Sequence, residues 1–312
     1  MGCFSGTVDV KGTKMFARLD GIGNQYIVYS VEYASATDCV VVLPLPVADD
    51  GASVQFVALD DYGDFFNDLA SGFVPPSMGR WMQVKSDSSV IPSLRADGMA
   101  YLGSTQDFAR LDSGFRPPAD FLDWYPHYRD FGFVVIKLPS TELPMEAIGG
   151  FSAEELTERR RELGFVTPDR VRLHPIAFRF ASREPRCIYY PTILIQDGEF
   201  RPTMEMDHTL YLQHDKLGND FALQNVGHVS LRAGNFMRST TPRGVICPRS
   251  CCFRRILRGT VANQDTWVYP PNAAARVARW QRPRPATVPA LPLTNATSIA
   301  NRAGFPIGAT AP

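Results

Sequence analysis

The chain has 312 residues, 45% hydrophobic and 11% aromatic, which is the composition of a folded globular protein and excludes an intrinsically disordered one. Its formal net charge is zero, yet from Val229 to the C-terminus there are twelve Arg, no Lys and no acid but Asp265, a net of +11 against −11 for residues 1–228. No apolar run reaches the roughly 18 residues of a membrane span and the N-terminus MGCFSGTVDVKG has no apolar leader, so the expectation is a cytoplasmic protein with no membrane contact.

Met1-Gly2 opens like a myristoylation signal, but Gly6 stands where Ser or Thr is wanted. The six cysteines (3, 39, 187, 247, 251, 252) are scattered over a long chain, which predicts reduced thiols and no disulfide framework. Taken in order, Thr7 to Asp20 and Tyr26 to Ala34 predict a hairpin about the Asp20-Gly21-Ile22-Gly23-Asn24 turn. Cys39 to Val47, CVVVLPLPV, is apolar on both faces, as a strand between two layers would be, with Pro44 and Pro46 expected to stop it pairing further. Val54 to Leu59 adds a strand, and Phe65, Phe66 and Leu69 fall at the spacing of a short helix packed on a sheet.

Residues 71 to 130 are rich in Pro, Gly and aromatics without periodicity, which predicts an irregular cover over one end of a core. A strand returns at Phe131 to Leu138. After Gly150 a helix is specified locally: Ser152 and Glu155 form a capping box, Phe151 and Leu156 a hydrophobic staple, and Gly164 a stop after Leu163. Val171 to Phe180 is again a strand. Ile188 to Asp215 sets β-branched and aromatic runs on either side of Gln196-Asp197-Gly198-Glu199, and Asp-Gly between apolar runs is a hairpin signal.

An internal echo appears between Tyr33-Ala34-Ser35, Cys39, Pro44 and Phe180-Ala181-Ser182, Cys187, Pro191, with ten residues from Ala to Pro in both. It suggests two related β halves. The segment from Tyr33 to Pro46, with a tyrosine-bearing strand, an A-x-x-x-D turn and a strand ending in P-x-P, resembles a family of uncharacterised bacterial proteins known only as a domain of unknown function. The likeness covers about half of the chain and its motifs are structural. It implies a β-rich fold and brings no activity; many members look exported, which this N-terminus does not match.

The expected architecture is a β-rich α+β protein with mainly antiparallel sheets and a few helices: a first β-rich half over 1–150, a second over 151–268, and a Pro-, Ala- and Arg-rich arm over 269–312. Leu223 to Phe236 holds a last strand in this reading, and Cys251 to Leu257 a basic amphipathic stretch in which helical spacing puts Arg254 and Arg258 on one face. Eight prolines from Tyr269 onward leave the arm without a core, extended and largely disordered.

Chemistry-bearing residues are few. His208 and His214 are too far apart on a strand, about 20 Å, to share an ion, but His174 or His228 on a neighbouring strand could complete a site with Asp207 and His208. The catalytic candidates are therefore His174, Asp207 and His208, in a metal-dependent hydrolase of unknown substrate. Cys247, Cys251 and Cys252 form C-x3-C-C, an alternative metal set that lacks a fourth ligand nearby. No nucleophile elbow, P-loop, zincin or dinucleotide-binding motif occurs, and no cofactor is implied.

The favoured reading is a non-catalytic binding or assembly protein whose partner-facing residues are Arg254, Arg255, Arg258, Arg276, Arg279, Arg282 and Arg284. The arginine fork suits carboxylates and phosphates alike. Two facts favour an acidic protein surface, a separate partner's or another copy's, over nucleic acid. The acidic body would repel a polyanion, and the arm's aromatics are not interleaved with its arginines as base stacking wants.

Overall fold

The computed structural model describes residues 2–48, 54–73, 93–141, 170–213, 228–238 and 244–269. The chain divides into two compact units, Met1–Ala274 and Ala275–Pro312, the second of which lies outside the described residues. The strands are β1 (Gly2–Phe4), β2 (Asp9–Leu19), β3 (Asn24–Ala34), β4 (Cys39–Leu45), β5 (Gln55–Val57), β6 (Ser93–Leu94), β7 (Gly98–Leu102), β8 (Gly132–Leu138), β9 (Val171–Leu173), β10 (Ile176–Ala181), β11 (Ile188–Tyr190), β12 (Leu194–Ile195), β13 (Thr203–Gln213), β14 (His228–Arg232), β15 (Cys251–Ala262) and β16 (Thr266–Val268). Among the described residues two short α-helices accompany them, α1 (Phe65–Ser71) and α2 (Phe121–Trp124). The protein is a β-rich α+β fold. One sheet runs β12-β1-β4-β8-β7 and a larger one β14-β15-β13-β2-β3-β10-β5, with β9 beside β3 and β6 beside β9; β11 and β16 pair separately. Pairing is antiparallel except at β1–β12, β13–β2 and β6–β9. The larger sheet takes strands from both sides of residue 150.

The β2–β3 hairpin forms as its sequence predicts, and the reason is local. The Asp20 carboxylate accepts the Ile22 N–H (2.9 Å), the Asn24 N–H (3.0 Å) and the Asn24 side-chain amide (2.6 Å), while Gly21 and Gly23 take φ of 84° and 108°. Both central strands are buried on two faces because the larger sheet separates two cores. On one side Phe4, Val41, Leu43, Val134 and Ile136 of the smaller sheet pack in one core with Tyr29, Tyr33, Phe178 and Leu212. On the other, Phe65, Phe66 and Leu69 of α1 pack on Phe16, Val28 and Tyr211.

Several expectations need correction. Val171 to Phe180 is two strands along β3, broken at His174-Pro175, where proline has no N–H for the ladder; Ser30 Oγ–H fills the gap by donating to the Leu173 carbonyl (2.7 Å). Pro44 does not stop its strand, since β4 stays in register with β8 to Leu45↔Gly132. The cover over 71–130 includes the edge strand β7, while Phe121, Tyr125 and Tyr128 do enter the main core. The Asp197-Gly198 turn exists, with Gly198 at φ 79°, but its flanks are not a hairpin: β12 pairs with β1 in one sheet and β13 with β2 and β15 in the other. Asn263 takes the place of a partner strand for β12, accepting the Leu194 N–H (2.7 Å) and donating to the Leu194 carbonyl (2.9 Å). The two echoing segments likewise send their second strands to different partners, β4 to β8 and β11 to β16. The helix predicted from Ser152 to Leu163 lies outside the described residues.

Candidate partner-binding strand

The basic stretch read as helical is a twelve-residue strand, β15. Thr260, Val261 and the exposed alternation past Leu257 explain why: β-branched residues suit a pleated surface, and pairing continues to the end of the segment. β13 holds it in a register without a shift from Leu212↔Phe253 to Thr203↔Ala262. On its other side β14 reaches only Cys251 to Arg254. Among the described residues no strand pairs with Arg255–Ala262 on that outer side.

The side chains divide by parity. Arg254, Ile256, Arg258 and Thr260 share the face of Tyr211, and Phe253, Arg255, Leu257 and Val261 the opposite one. Arg254 is half-buried, its guanidinium 4.8 Å from the Phe73 ring centroid and beside Tyr211. Arg255 is exposed, and Ile256 is 48% exposed, a large apolar residue left open on a sheet. Arg258 faces Asp207 on β13, with Nε at 3.2 Å and the terminal nitrogen at 3.0 Å from one carboxylate oxygen. Thr260 Oγ–H donates to Glu205 (2.9 Å).

Arg258 and Asp207 begin a row of alternating charge across the sheet, continued by Lys14 on β2, Glu32 on β3 and Arg172 on β9, the last pair 2.8 Å apart. Burial pushes the Lys14 ammonium down from its ordinary pKa, with Arg172 adding to the shift and Glu32 and Asp207 opposing it. Asp265, the one acid after Val229, is a half-buried residue whose carboxylate is tied up by two tyrosines. Its carboxylate is buried and accepts the hydroxyls of Tyr128 (2.6 Å) and Tyr189 (2.7 Å), and burial raises its pKa. Among the described residues from Val229 on, every charged side chain but Asp265 is therefore cationic.

The three catalytic candidates stand apart. His174 Nε2–H donates to the Leu59 carbonyl (2.9 Å), a group that only accepts, so this histidine is satisfied structurally. Asp207 and His208 are neighbours on a strand and point to opposite faces, Asp207 to Arg258 and His208 into the main core with zero exposure. Burial pushes the His208 imidazole down to about 3. The thiols do not converge either. Cys252 is buried, its pKa pushed up to about 12, Cys251 faces the other side of β15, and Cys247 accepts a bond from Ser250 Oγ (3.3 Å). All six cysteines are free. Among the described residues no three His, Cys, Asp or Glu are grouped to hold a metal ion, and no helix is long and apolar enough to cross a membrane.

Of the partner-facing arginines, β15 carries Arg254, Arg255 and Arg258, while Arg276, Arg279, Arg282 and Arg284 lie outside the described residues. Helical spacing was the wrong ground for putting 254 and 258 together, but a period of two does the same. The full length of β15 was missed. Its signal was the alternation running on through Gly259-Thr260-Val261-Ala262, beyond the window that ended at Leu257.

No protein-family model matches the chain, and no curated protein does. Solved structures with a similar course include the crystal structure of baculovirus P35, with 10% identity and a TM-score of 0.43 over 84% of this chain and 97% of that one. A mutated baculovirus P35 after caspase cleavage gives 10% identity and 0.37 over 83% and 99%. The caspase-8/P35 complex gives 7% and 0.35 over 83% and 96%.

Proposed function

We propose that this chain is a non-catalytic protein-binding module that presents basic strand β15, with the arginines of its C-terminal arm, to an acidic surface of a partner protein. The observation that carries this reading is β15 itself: three arginines and no acid in twelve residues, on a strand whose outer side has no neighbour among the described residues past Arg254. Asp265, the one acid from Val229 on, is held by the hydroxyls of Tyr128 and Tyr189, while Arg258 is met by Asp207 of β13. The rival hydrolase needs His174, Asp207 and His208 on one site, and they occupy two faces of the sheet and a loop at its side.

The test compares the full chain with a truncation after Tyr269 at low and moderate salt, on an immobilised acidic protein and on single-stranded DNA. Retention on the acidic protein, weakened by salt and by truncation, is the expected result. Tight, salt-dependent retention on DNA by the full chain alone overturns it.

A further inference from the structure

We infer that the groove between the 3₁₀ helix Thr105–Arg110 and α2 binds the C-terminal aromatic residue of a partner chain, its ring on the apolar floor and its α-carboxylate on Arg116. The site shares no residue with β15 and works whether or not that strand holds a partner.

The groove has a volume of about 360 Å³, at the lower end of the range for ligand sites, which is room for one bulky residue. Its floor is held from below by rings of the core. Phe108 lies 4.7 Å from Phe133 of β8, centroid to centroid, and buried Phe121 packs on Tyr125 and Tyr128. Rings interlocked in this way do not fold into the hollow above them. Leu122 and the prolines 117 and 118 make the wall, and a proline has no N–H to present there.

Among the residues that line the groove Arg116 alone is charged. Its Nε–H donates to the Leu111 carbonyl (2.9 Å) and one Nη2–H to the Ala109 carbonyl (2.9 Å), so the guanidinium is fastened by one edge. Nη1 and the second Nη2–H are left as a fork, the shape that takes a carboxylate through both oxygens. Two nearby acids are engaged elsewhere. Asp107 accepts the Ser104 N–H (3.1 Å) and faces Arg110 (3.4 Å), and Asp123 faces Arg129 (2.8 Å). Among the described residues no carboxylate pairs with Arg116.

The single cation beside an aromatic floor chooses the occupant. In an extended segment neighbouring side chains point to opposite faces, so an acidic side chain next to an aromatic one turns away from the groove that holds the ring. A C-terminal residue carries its carboxylate on the same Cα as its ring, and both reach one small site. Asp112 and Asp120, exposed four residues to either side of Arg116, oppose a run of acids and tolerate one carboxylate on a neutral segment. An aromatic ring gains more than an aliphatic chain against Phe108, Phe121 and the proline rings.

The experiment titrates isotope-labelled full chain with the peptide Ac-Gly-Gly-Phe bearing a free C-terminus, and with the same peptide amidated, and follows the backbone amide resonances. Both should shift Phe108, Ala109 and Leu122, and the free acid should bind about tenfold more tightly or better. That ratio is read on the parent and needs no variant. Arg116→Gln should bring the acid to the affinity of the amide and leave the amide unchanged. Because Arg116 also fastens its loop, Ala119→Trp serves as a second variant: Ala119 is exposed on the rim, and an indole there should block both peptides with an unchanged melting midpoint. Equal affinity of acid and amide overturns the inference. So does an amidated Ac-Gly-Glu-Gly-Phe bound as tightly as the acid, since an internal carboxylate would then suffice. Shifts confined to residues outside the groove, or no shifts, overturn it as well.

Discussion

Acid should unfold this protein partly through one histidine. His208 sits on β13 in the main core, and its neighbour in register is Thr13 on β2. Neither ring nitrogen of His208 nor Thr13 Oγ1 has a hydrogen-bond partner, although the Asp207 and Thr192 carbonyls lie near the ring. With its imidazole pushed down to about 3, His208 stays neutral in the fold, whereas in the unfolded chain it titrates near 6.5. The folded pKa is the lower of the two, so the contribution is complete above about pH 6.5 and is lost as pH falls through the window towards 3. One proton costs about 1.4 kcal/mol per pH unit across that window, so falling from pH 7 to 4.5 should remove roughly 2.5 kcal/mol. His208→Leu removes the titrating group and two unpaired nitrogens from an apolar layer, so at pH 7 it should be as stable as the parent or more so. The assay is urea unfolding of both proteins at several pH values and fixed ionic strength. Carboxylates such as Asp20, Asp38 and Asp197, held below their ordinary range largely by hydrogen bonds, titrate in both and cancel in the difference. A gap between the two curves that stays constant from pH 7 to 4.5 would refute the reasoning.

Gly244→Ala should destabilise by roughly 1–3 kcal/mol in thermal or chemical unfolding, because φ is 92° there and the new Cβ would press on the Tyr26 hydroxyl. A change within 0.5 kcal/mol would contradict the packing described around Tyr26. Tyr128→Phe deletes one of the two hydroxyls on buried Asp265 and should cost about 1–3 kcal/mol, read by the same unfolding curves; no loss would mean that the carboxylate is not dependent on that bond.

What was legible in the sequence was local. Asp20 to Asn24 contains all the groups that close its turn, and Cys39 to Leu45 declares burial on both faces by composition. The alternation of His208, Leu210 and Leu212 is that of a strand with one face in the core, as the burial of β13 shows, and the same parity separates Asp207 from His208. The Asp197-Gly198 turn told that the chain bends and could not tell where its flanks go. Leu194 is satisfied by Asn263, 69 residues away, and no short-range pattern encodes that. Asp265 is similar: it is buried by Tyr128 and Tyr189, which lie 137 and 76 residues before it. For β15, apolar and basic residues in a seven-residue window fit a period of 3.6 nearly as well as 2, and only the full twelve residues decide.

The most direct measure of the central claim sets chemistry against charge. A capped Val-Glu decapeptide and an oligothymidylate of equal net charge are titrated into the full chain at two salt concentrations, with Arg255→Glu as the control. The account predicts that the peptide binds, that salt weakens it, that Arg255→Glu abolishes it, and that the oligonucleotide binds far more weakly. An oligonucleotide bound as tightly as the peptide would make the basic strand an electrostatic site for any polyanion, and the protein-binding account would fail.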